Sequence, residues 1–200
     1  LEEEVKLLDK NGADYIHIDI MDGHYVPNIT FGPNIVKSLR KVTSKILDVH
    51  LMIKPVKKYI NEFVEAGSDI ITFHPEADDN PEEIIRMISD AEIKAGIAIH
   101  PEVNIEDIDH LFNKVQQIIV MTVTPGFGGQ KFMHDQVQKI KDLDEIRKNN
   151  NYKYDIAVDG GVNNENAKIC KDNGANVLAV GSYLLSQNQN NYNKIINSLR

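Results

Sequence analysis

The sequence predicts an α/β protein built as a TIM (β/α)8 barrel, and three observations lead to this fold class. Short apolar segments with a period of two alternate along the chain with segments of helical period. Such alternation implies a parallel sheet with helices outside it, either an open doubly wound sheet or a closed barrel. Chemistry-bearing residues recur at the ends of almost every predicted strand, whereas an open sheet concentrates them near its switch point. The barrel is therefore favoured, as a single domain over residues 1–200.

Seven strands can be placed between turn residues. They are predicted within residues 15–21, 45–52, 69–77, 94–101, 116–130, 154–163 and 176–182. Helices are predicted at the start and end of the chain and within residues 33–41, 55–67, 104–113, 135–149 and 164–172, with another that begins at Asn80. A barrel of this type needs eight strands, so we expect the first strand to be missing before Leu1. The barrel should then be incomplete at its N-terminus, with a gap one strand wide; the alternative is a closed barrel of seven strands.

Composition and charge exclude several classes of function. A net charge of −8 offers no basic face for nucleic acid, so local features must hold any anionic substrate. No apolar run has the length of a membrane span, and the single cysteine, Cys170, excludes an internal disulfide. We expect a cytoplasmic protein with a small-molecule partner and without nucleic-acid or membrane partners. We also expect a homo-oligomer.

The stretch HIDIMDGHYVPN is the most informative in the chain. Isoleucines alternate with His17, Asp19 and Met21, which predicts a strand with one aliphatic and one polar face. An inward carboxylate is costly unless it is paired or coordinates a metal. A second strand presents Asp48, His50 and Met52 in the same alternation. The ends of these strands are therefore candidates for a chemical site.

Five segments, read in order, resemble the ribulose-phosphate 3-epimerase family. They are HIDIMDGHYVPNITFGP, DVHLMIKP, MTVTPGFGGQKF, VDGGVN and VGS, at family-like spacing over nearly the whole chain. Each is a weak signal alone, but the ordered combination is highly specific. The resemblance implies a metal-dependent epimerase that interconverts D-ribulose 5-phosphate and D-xylulose 5-phosphate in the pentose phosphate pathway.

The same resemblance implies the roles of the residues that end the strands. His17, Asp19, His50 and Asp159 would bind one divalent metal ion, and this nitrogen and oxygen set suits zinc, iron(II), manganese or cobalt. Asp19 and Asp159 would also be the catalytic acid and base. The predicted substrate-binding residues are His50, Asp159, the thioethers of Met21, Met52 and Met121, and the loop residues Gly126, Phe127, Gly128, Gly129, Gly160, Gly161, Gly181 and Ser182. Backbone N–H groups at these glycines could approach the sugar phosphate closely.

Other interpretations stay open for these residues. The histidines and methionines, taken singly, could be core residues, and PGFGGQ could be a tight turn. His74 and His100 also follow strands, and we interpret them as loop residues or as residues that contact the site from behind. The chain departs from the family at Ala157, where a Glu is usual, and at His100 and Thr124. An epimerase acting on another ketose phosphate, such as allulose 6-phosphate, and a non-catalytic phosphosugar-binding barrel are therefore alternatives.

Overall fold

A computed structural model describes residues 1–78 and 80–200 and contains one sheet of seven parallel strands in chain order. The strands are β1 Tyr15–Met21, β2 Ile46–Met52, β3 Ile70–Phe73, β4 Lys94–Ile99, β5 Gln117–Met121, β6 Asp155–Asp159 and β7 Val177–Ala179. The α-helices are α1 Glu2–Lys10, α2 Pro33–Arg40, α3 Ile60–Glu65, α4 Pro81–Asp90, α5 Val137–Asn150, α6 Asn164–Asp172, α7 Ser182–Leu185 and α8 Tyr192–Leu199. The strands curve into a nearly closed barrel with the helices between them, so the predicted fold class is confirmed.

Local signals explain where several helices begin. The side chain of Asn80 accepts a hydrogen bond from the backbone N–H of Glu83, and Pro81 occupies the first turn of α4, as the sequence predicts. At α6, Asn163 and Asn166 form a reciprocal capping box. These caps satisfy backbone donors that would otherwise have no partner at the start of a helix.

Several predicted elements differ from the structure, and three of them show the physical reason. The helix expected over 104–113 is instead a pair of 3-10 helices, Ile105–Asp107 and Asp109–Lys114. Its buried residues Ile105, Ile108 and Leu111 are spaced by three, which aligns side chains on one face of a 3-10 helix. The helix expected from Pro55 begins with a 3-10 turn, Lys57–Tyr59. The strand expected to reach residue 77 ends at Phe73, because Pro75 cannot donate to a strand ladder and starts a 3-10 turn.

The strand register determines which side chains share the barrel opening. His17 is opposite Asp48, Asp19 is opposite His50 and Met21 is opposite Met52 in the β1–β2 pair. On the other side of the barrel, Met121 of β5 is opposite Asp159 of β6. Because alternate residues face opposite sides of a strand, these polar residues point inward while their aliphatic neighbours point to the helices.

The aliphatic face of the strands forms the main core. Leu47, Val49 and Leu51 of β2 are fully buried and belong to one cluster with residues from the helices outside. Burial of each such side chain contributes about 1.5–3 kcal/mol relative to exposure. This layer fixes the strands in place and leaves the inner face of the barrel free to carry polar groups.

An opening separates the first and last strands of the sheet. Among the described residues, β1 pairs only with β2, and β7 pairs only with β6. A cavity of about 950 Å³ lies there, lined by residues of α1, β1, β7 and α8 that include Val5, Ile16, Val177 and Leu199. In the described residues β1 and β7 are therefore not paired with each other, so the alternative of a closed seven-stranded barrel is not what the structure shows.

The two unpaired edges lead to a prediction about association. We expect the 200-residue chain to bind a hydrophobic dye and to associate as its concentration rises, since open edges with apolar neighbours recruit other strands. Val177→Lys should reduce this association, because an inward charge on an edge strand opposes pairing. Sedimentation velocity over a range of concentrations measures the effect.

Ile169→Lys is the control, since Ile169 is an exposed aliphatic residue on α6. It should leave the association unchanged. A native chain that stays monomeric and binds no dye, or an equal effect of both substitutions, would contradict the prediction.

Candidate metal and substrate site

Four side chains from three strands converge at one end of the barrel. His17, Asp19, His50 and Asp159 each offer one nitrogen or oxygen atom, and the four atoms lie within 4.8 Å of one another. The Nε2 atom of His17 is 3.2 Å from Oδ1 of Asp19 and 3.7 Å from Oδ2 of Asp159. The Nδ1 atom of His50 is 3.2 Å from Oδ1 of Asp19 and 3.6 Å from Oδ2 of Asp159. The arrangement is a compact group of two imidazoles and two carboxylates.

The electrostatics of this group suit a cation. Burial raises the pKa of Asp19, but its close contacts with the rings of His17 and His50 outweigh this effect and lower the pKa below its usual range. Burial and the negative charge of Asp19 act to raise the pKa of Asp159. The two histidines outweigh both effects, so the pKa of Asp159 is lowered. The surroundings of both carboxylates therefore favour their ionised forms. The pKa of His17 is raised well above its usual value, since nearby carboxylates outweigh its burial.

The chemistry of these atoms fits a divalent metal ion. Nε2 of His17 is buried and has no hydrogen-bond partner among the described residues. Buried polar atoms without partners are rare, so each calls for an explanation such as an ion. A set of two imidazole nitrogens and two carboxylate oxygens is typical of zinc and of similar transition metals. The cluster can therefore hold a metal ion.

A buried carboxylate orients His17. Oδ2 of Asp48 is 2.8 Å from Nδ1 of His17, and Nε2 of Gln117 donates to Oδ1 of Asp48 at 2.9 Å. Asp48 is only 2% exposed, so this contact is shielded from water. A carboxylate at one ring nitrogen holds the proton there and leaves the other nitrogen free to bind a metal. Sequence alternation places Asp48 on the inward face, but its pairing with His17 depends on the register.

The two other histidines that follow strands differ in their surroundings. His74 is fully buried, and its Nε2 atom lies 3.0 Å from Nε2 of His50. The ring centroid of His100 is 6.4 Å from that of His74, and Nδ1 of His100 accepts a hydrogen bond from the backbone of Glu102. His74 therefore contacts the cluster from behind, while His100 belongs to a loop.

The predicted substrate-binding residues surround a cavity of about 110 Å³ beside the cluster. All of them line this cavity except His50, which lies behind Asp19 and Asp159. The following residues line the cavity. They are Met21, Met52, Met121, Gly126, Phe127, Gly128, Gly129, Asp159, Gly160, Gly161, Gly181 and Ser182. The cavity shares Asp19 and Asp159 with the larger opening between β1 and β7. A ligand held by the glycines would therefore lie within reach of both carboxylates.

Polar side chains that the sequence analysis did not identify fix the loops around this cavity. Nδ2 of Asn28 donates to the carbonyl of Gly126 at 2.8 Å, which joins the β1 loop to the glycine-rich loop. Nε2 of Gln130 donates to the carbonyls of Thr124 and Phe127 and so braces the same loop. Amide side chains in loops give no distinctive sequence signal, because many of them only contact water.

Solved structures extend the description of the fold. Inward-facing polar residues at the carboxyl ends of parallel barrel strands define the chain as a TIM-barrel enzyme. It is similar to a 3-hexulose-6-phosphate synthase, with a TM-score of 0.68 and 15% identity over 99% of this chain and 92% of that one. It is also similar to a thiamine phosphate pyrophosphorylase from Pyrococcus furiosus, with a TM-score of 0.67 and 18% identity over 100% and 87% of the two chains. At such identities the likeness concerns the fold alone.

The chain belongs to the Ribulose-phosphate 3 epimerase family, whose model matches residues 1–185. It is 45% identical over 188 residues to ribulose-phosphate 3-epimerase from Bacillus subtilis strain 168, covering 94% of this chain and 87% of that protein. It is 38% identical over 191 residues to the enzyme of that name from Escherichia coli strain K12, covering 94% and 84% of the two chains. The resemblance seen in the sequence is confirmed, and the family consists of isomerases. In the part of the chain that the structure describes, no helix is both long and apolar enough to cross a membrane.

Two glycines at the cavity allow a test of the loop geometry. Gly129 and Gly161 both have positive φ, at 76° and 67°. A Cβ atom at Gly161 would lie 2.8 Å from the backbone nitrogen of Phe132, whereas at Gly129 no described heavy atom outside its chain neighbours lies within 4 Å. Gly129→Ala should cost about 1–2 kcal/mol in free energy of unfolding, for backbone conformation alone. Gly161→Ala should cost about 1–3 kcal/mol more, because the new methyl group meets backbone.

Urea denaturation of the two variants and the native chain measures these differences. The pair is matched in backbone conformation, so the excess cost at Gly161 isolates the steric contact. Equal stabilities of the two variants would show that the DGG turn is not packed as described.

Proposed function

We propose that the chain interconverts D-ribulose 5-phosphate and D-xylulose 5-phosphate in a metal-dependent reaction of the pentose phosphate pathway. The observation that carries the proposal is the pair of ionised carboxylates, Asp19 and Asp159, beside two histidines at the mouth of the barrel. Membership of the family supports the same reaction class. The epimerisation inverts C3, the carbon next to the carbonyl of the ketose.

The two carboxylates act as base and acid. One, in its ionised form, removes the proton from C3 to give an enediolate, and the other, which must enter the step in its protonated form, donates its proton to the opposite face, so the two carboxyl groups exchange protonation states in each turnover. Asp19 arrives from β1 and Asp159 from β6, so a planar intermediate between them could be reached from two sides. Their lowered pKa values keep a carboxylate available as a base near neutral pH.

The remaining residues bind and orient the substrate. His17, His50, Asp19 and Asp159 would hold a divalent ion, which supplies polarisation of the carbonyl and stabilisation of the developing negative charge. Met21, Met52 and Met121 are buried beside the carboxylates, and their thioethers can pack on a flat intermediate without competing for protons. The backbone of the glycine-rich loops would hold the phosphate and direct the reacting carbon toward Asp19 and Asp159.

Substitution of either carboxylate should nearly abolish turnover. Asp19→Asn and Asp159→Asn keep the shape of the side chain but remove its basicity, so we expect kcat to fall by about 10²–10⁴-fold or more. A coupled assay that converts xylulose 5-phosphate measures kcat, with metal content determined on the same samples. Asp172→Asn, at an exposed aspartate of α6, should behave as native.

A carboxylate variant with near-native turnover would contradict the two-base assignment. A higher kcat/KM for allulose 6-phosphate than for ribulose 5-phosphate would transfer the proposal to the other substrate.

Removal of metal should remove activity. We expect dialysis against a strong chelator to inactivate the chain, and added zinc, iron(II), manganese or cobalt to restore turnover. Elemental analysis before and after dialysis identifies the ion and its stoichiometry. Full activity of a chain shown to contain no metal would rule out the metal-dependent mechanism.

A side chain at Gly181 should weaken phosphate binding. Outside its chain neighbours, no described heavy atom lies within 4 Å of a Cβ atom built at Gly181, so the first side-chain atom added by Gly181→Val meets no steric clash. The valine side chain would keep the phosphate from approaching the backbone N–H groups at this position. Loss of one hydrogen bond to a charged group costs about 1.5–3 kcal/mol, so KM for ribulose 5-phosphate should rise roughly tenfold or more.

Unphosphorylated ribulose provides the internal control for this variant. It should turn over slowly with both proteins and should be insensitive to Gly181→Val. Equal kcat/KM for ribulose and ribulose 5-phosphate in the native chain would show that these glycines do not bind the phosphate.

A further inference from the structure

His74 lies behind the cluster and does not belong to it. It follows β3, is fully buried, and directs Nε2 at Nε2 of His50 over 3.0 Å. The opposite nitrogen of His50, Nδ1, faces the carboxylates of Asp19 and Asp159 at 3.2 and 3.6 Å. Since a contact of 3.0 Å between two imidazole nitrogens needs one donor and one acceptor, the protonation of these two rings is linked.

The linkage continues to the surface through Glu76 and Tyr25. Oε1 of Glu76 is 3.4 Å from Nδ1 of His74 and accepts a hydrogen bond from the hydroxyl of Tyr25 at 2.8 Å. The 3-10 turn Pro75–Ala77 brings Glu76 back toward the preceding histidine. The ring of Tyr25 also lies against His74, with centroids 4.8 Å apart. His50, His74, Glu76 and Tyr25 therefore form one continuous chain of contacts.

We infer that His74 is a positioning residue that fixes the tautomer of His50. When the ion is bound, Nε2 of His74 would accept a hydrogen bond from the Nε2–H group of His50, so that Nδ1 of His50, which in the structure lies 3.2 Å from Oδ1 of Asp19, can offer its lone pair to the ion. Oε1 of Glu76 lies 3.4 Å from Nδ1 of His74 without a hydrogen bond to it, and its negative charge favours the proton of His74 on Nδ1, which leaves Nε2 as the acceptor that faces His50. The inference rests on the proposed function, because it takes His50 as a metal ligand.

The surroundings of His17 support this reading. His17 has the same arrangement with a different partner, since Asp48 holds its Nδ1 while Nε2 faces the cluster. Both histidines of the cluster are thus oriented through the nitrogen that points away from it. His74 itself cannot be a ligand in this geometry, because its Nε2 atom is directed at His50.

The test compares zinc affinity across matched variants. His74→Leu removes the acceptor, and zinc affinity should fall by about 10–100-fold, the usual effect of losing such a partner. His74→Gln offers an amide oxygen that can accept from His50, and it should recover most of the affinity. Competition with a chromophoric chelator measures the dissociation constant, and thermal unfolding of the metal-free proteins reports folding. His110→Leu, at an exposed histidine, is the control.

Two further variants keep the test decisive if His74→Leu does not fold. Glu76→Leu frees His74 to place its proton on Nε2, and zinc affinity should fall severalfold, while Glu76→Gln retains an acceptor and should lie close to native. Proton-detected nitrogen NMR of the zinc-loaded native chain should show the Nε2–H tautomer of His50.

The outcomes separate the two proposals. If the native chain binds zinc and His74→Leu binds it with the same affinity, the role of His74 is overturned and the metal site stays intact. The same conclusion follows if His74→Leu and His74→Gln lose zinc affinity equally. Absence of zinc binding by the native chain would overturn the metal site and the role of His74 together.

Discussion

The juxtaposition of two ionised carboxylates at the mouth of the barrel is the constraint on which the rest of the site depends. Asp19 and Asp159 approach the same two imidazole nitrogens, and two negative charges held this close together need a compensating positive charge. The histidines lower the pKa values of both carboxylates, so the protein favours their charged forms. A site built this way can hold a cation, and it could do so beside the anionic phosphate of the proposed substrate.

The register of the sheet makes that juxtaposition possible. One step along a strand would turn His17 and Asp19 toward the helices and direct the isoleucines of β1 into the barrel. The aliphatic layer prevents this, since residues such as Val49 and Leu51 are completely buried on the outer side. The hydrophobic core therefore determines stability and also determines which atoms meet at the site.

Much of this arrangement could be predicted from alternation and the order of motifs. The seven strands, the inward faces of β1 and β2 and the glycine-rich turns follow from local patterns. The contacts of Asp48 with His17 and of His74 with His50 could not, because they join residues 31 and 24 positions apart and depend on how the strands pair. The 3-10 helices after β4 were missed for a local reason, since apolar residues spaced by three fit one face of either helix type over so few turns.

The open side of the sheet bears directly on the site. β1 carries His17 and Asp19, yet in the described part of the chain it is paired along one edge only. Its position relative to Asp159 of β6 is fixed through five successive strand pairs, from β1 to β6 round the barrel. An ion held by all four residues would join β1 to β6 across the shorter, open side. Part of its binding free energy would then be spent on holding β1 in place, so closure of the barrel and formation of the metal site are energetically linked.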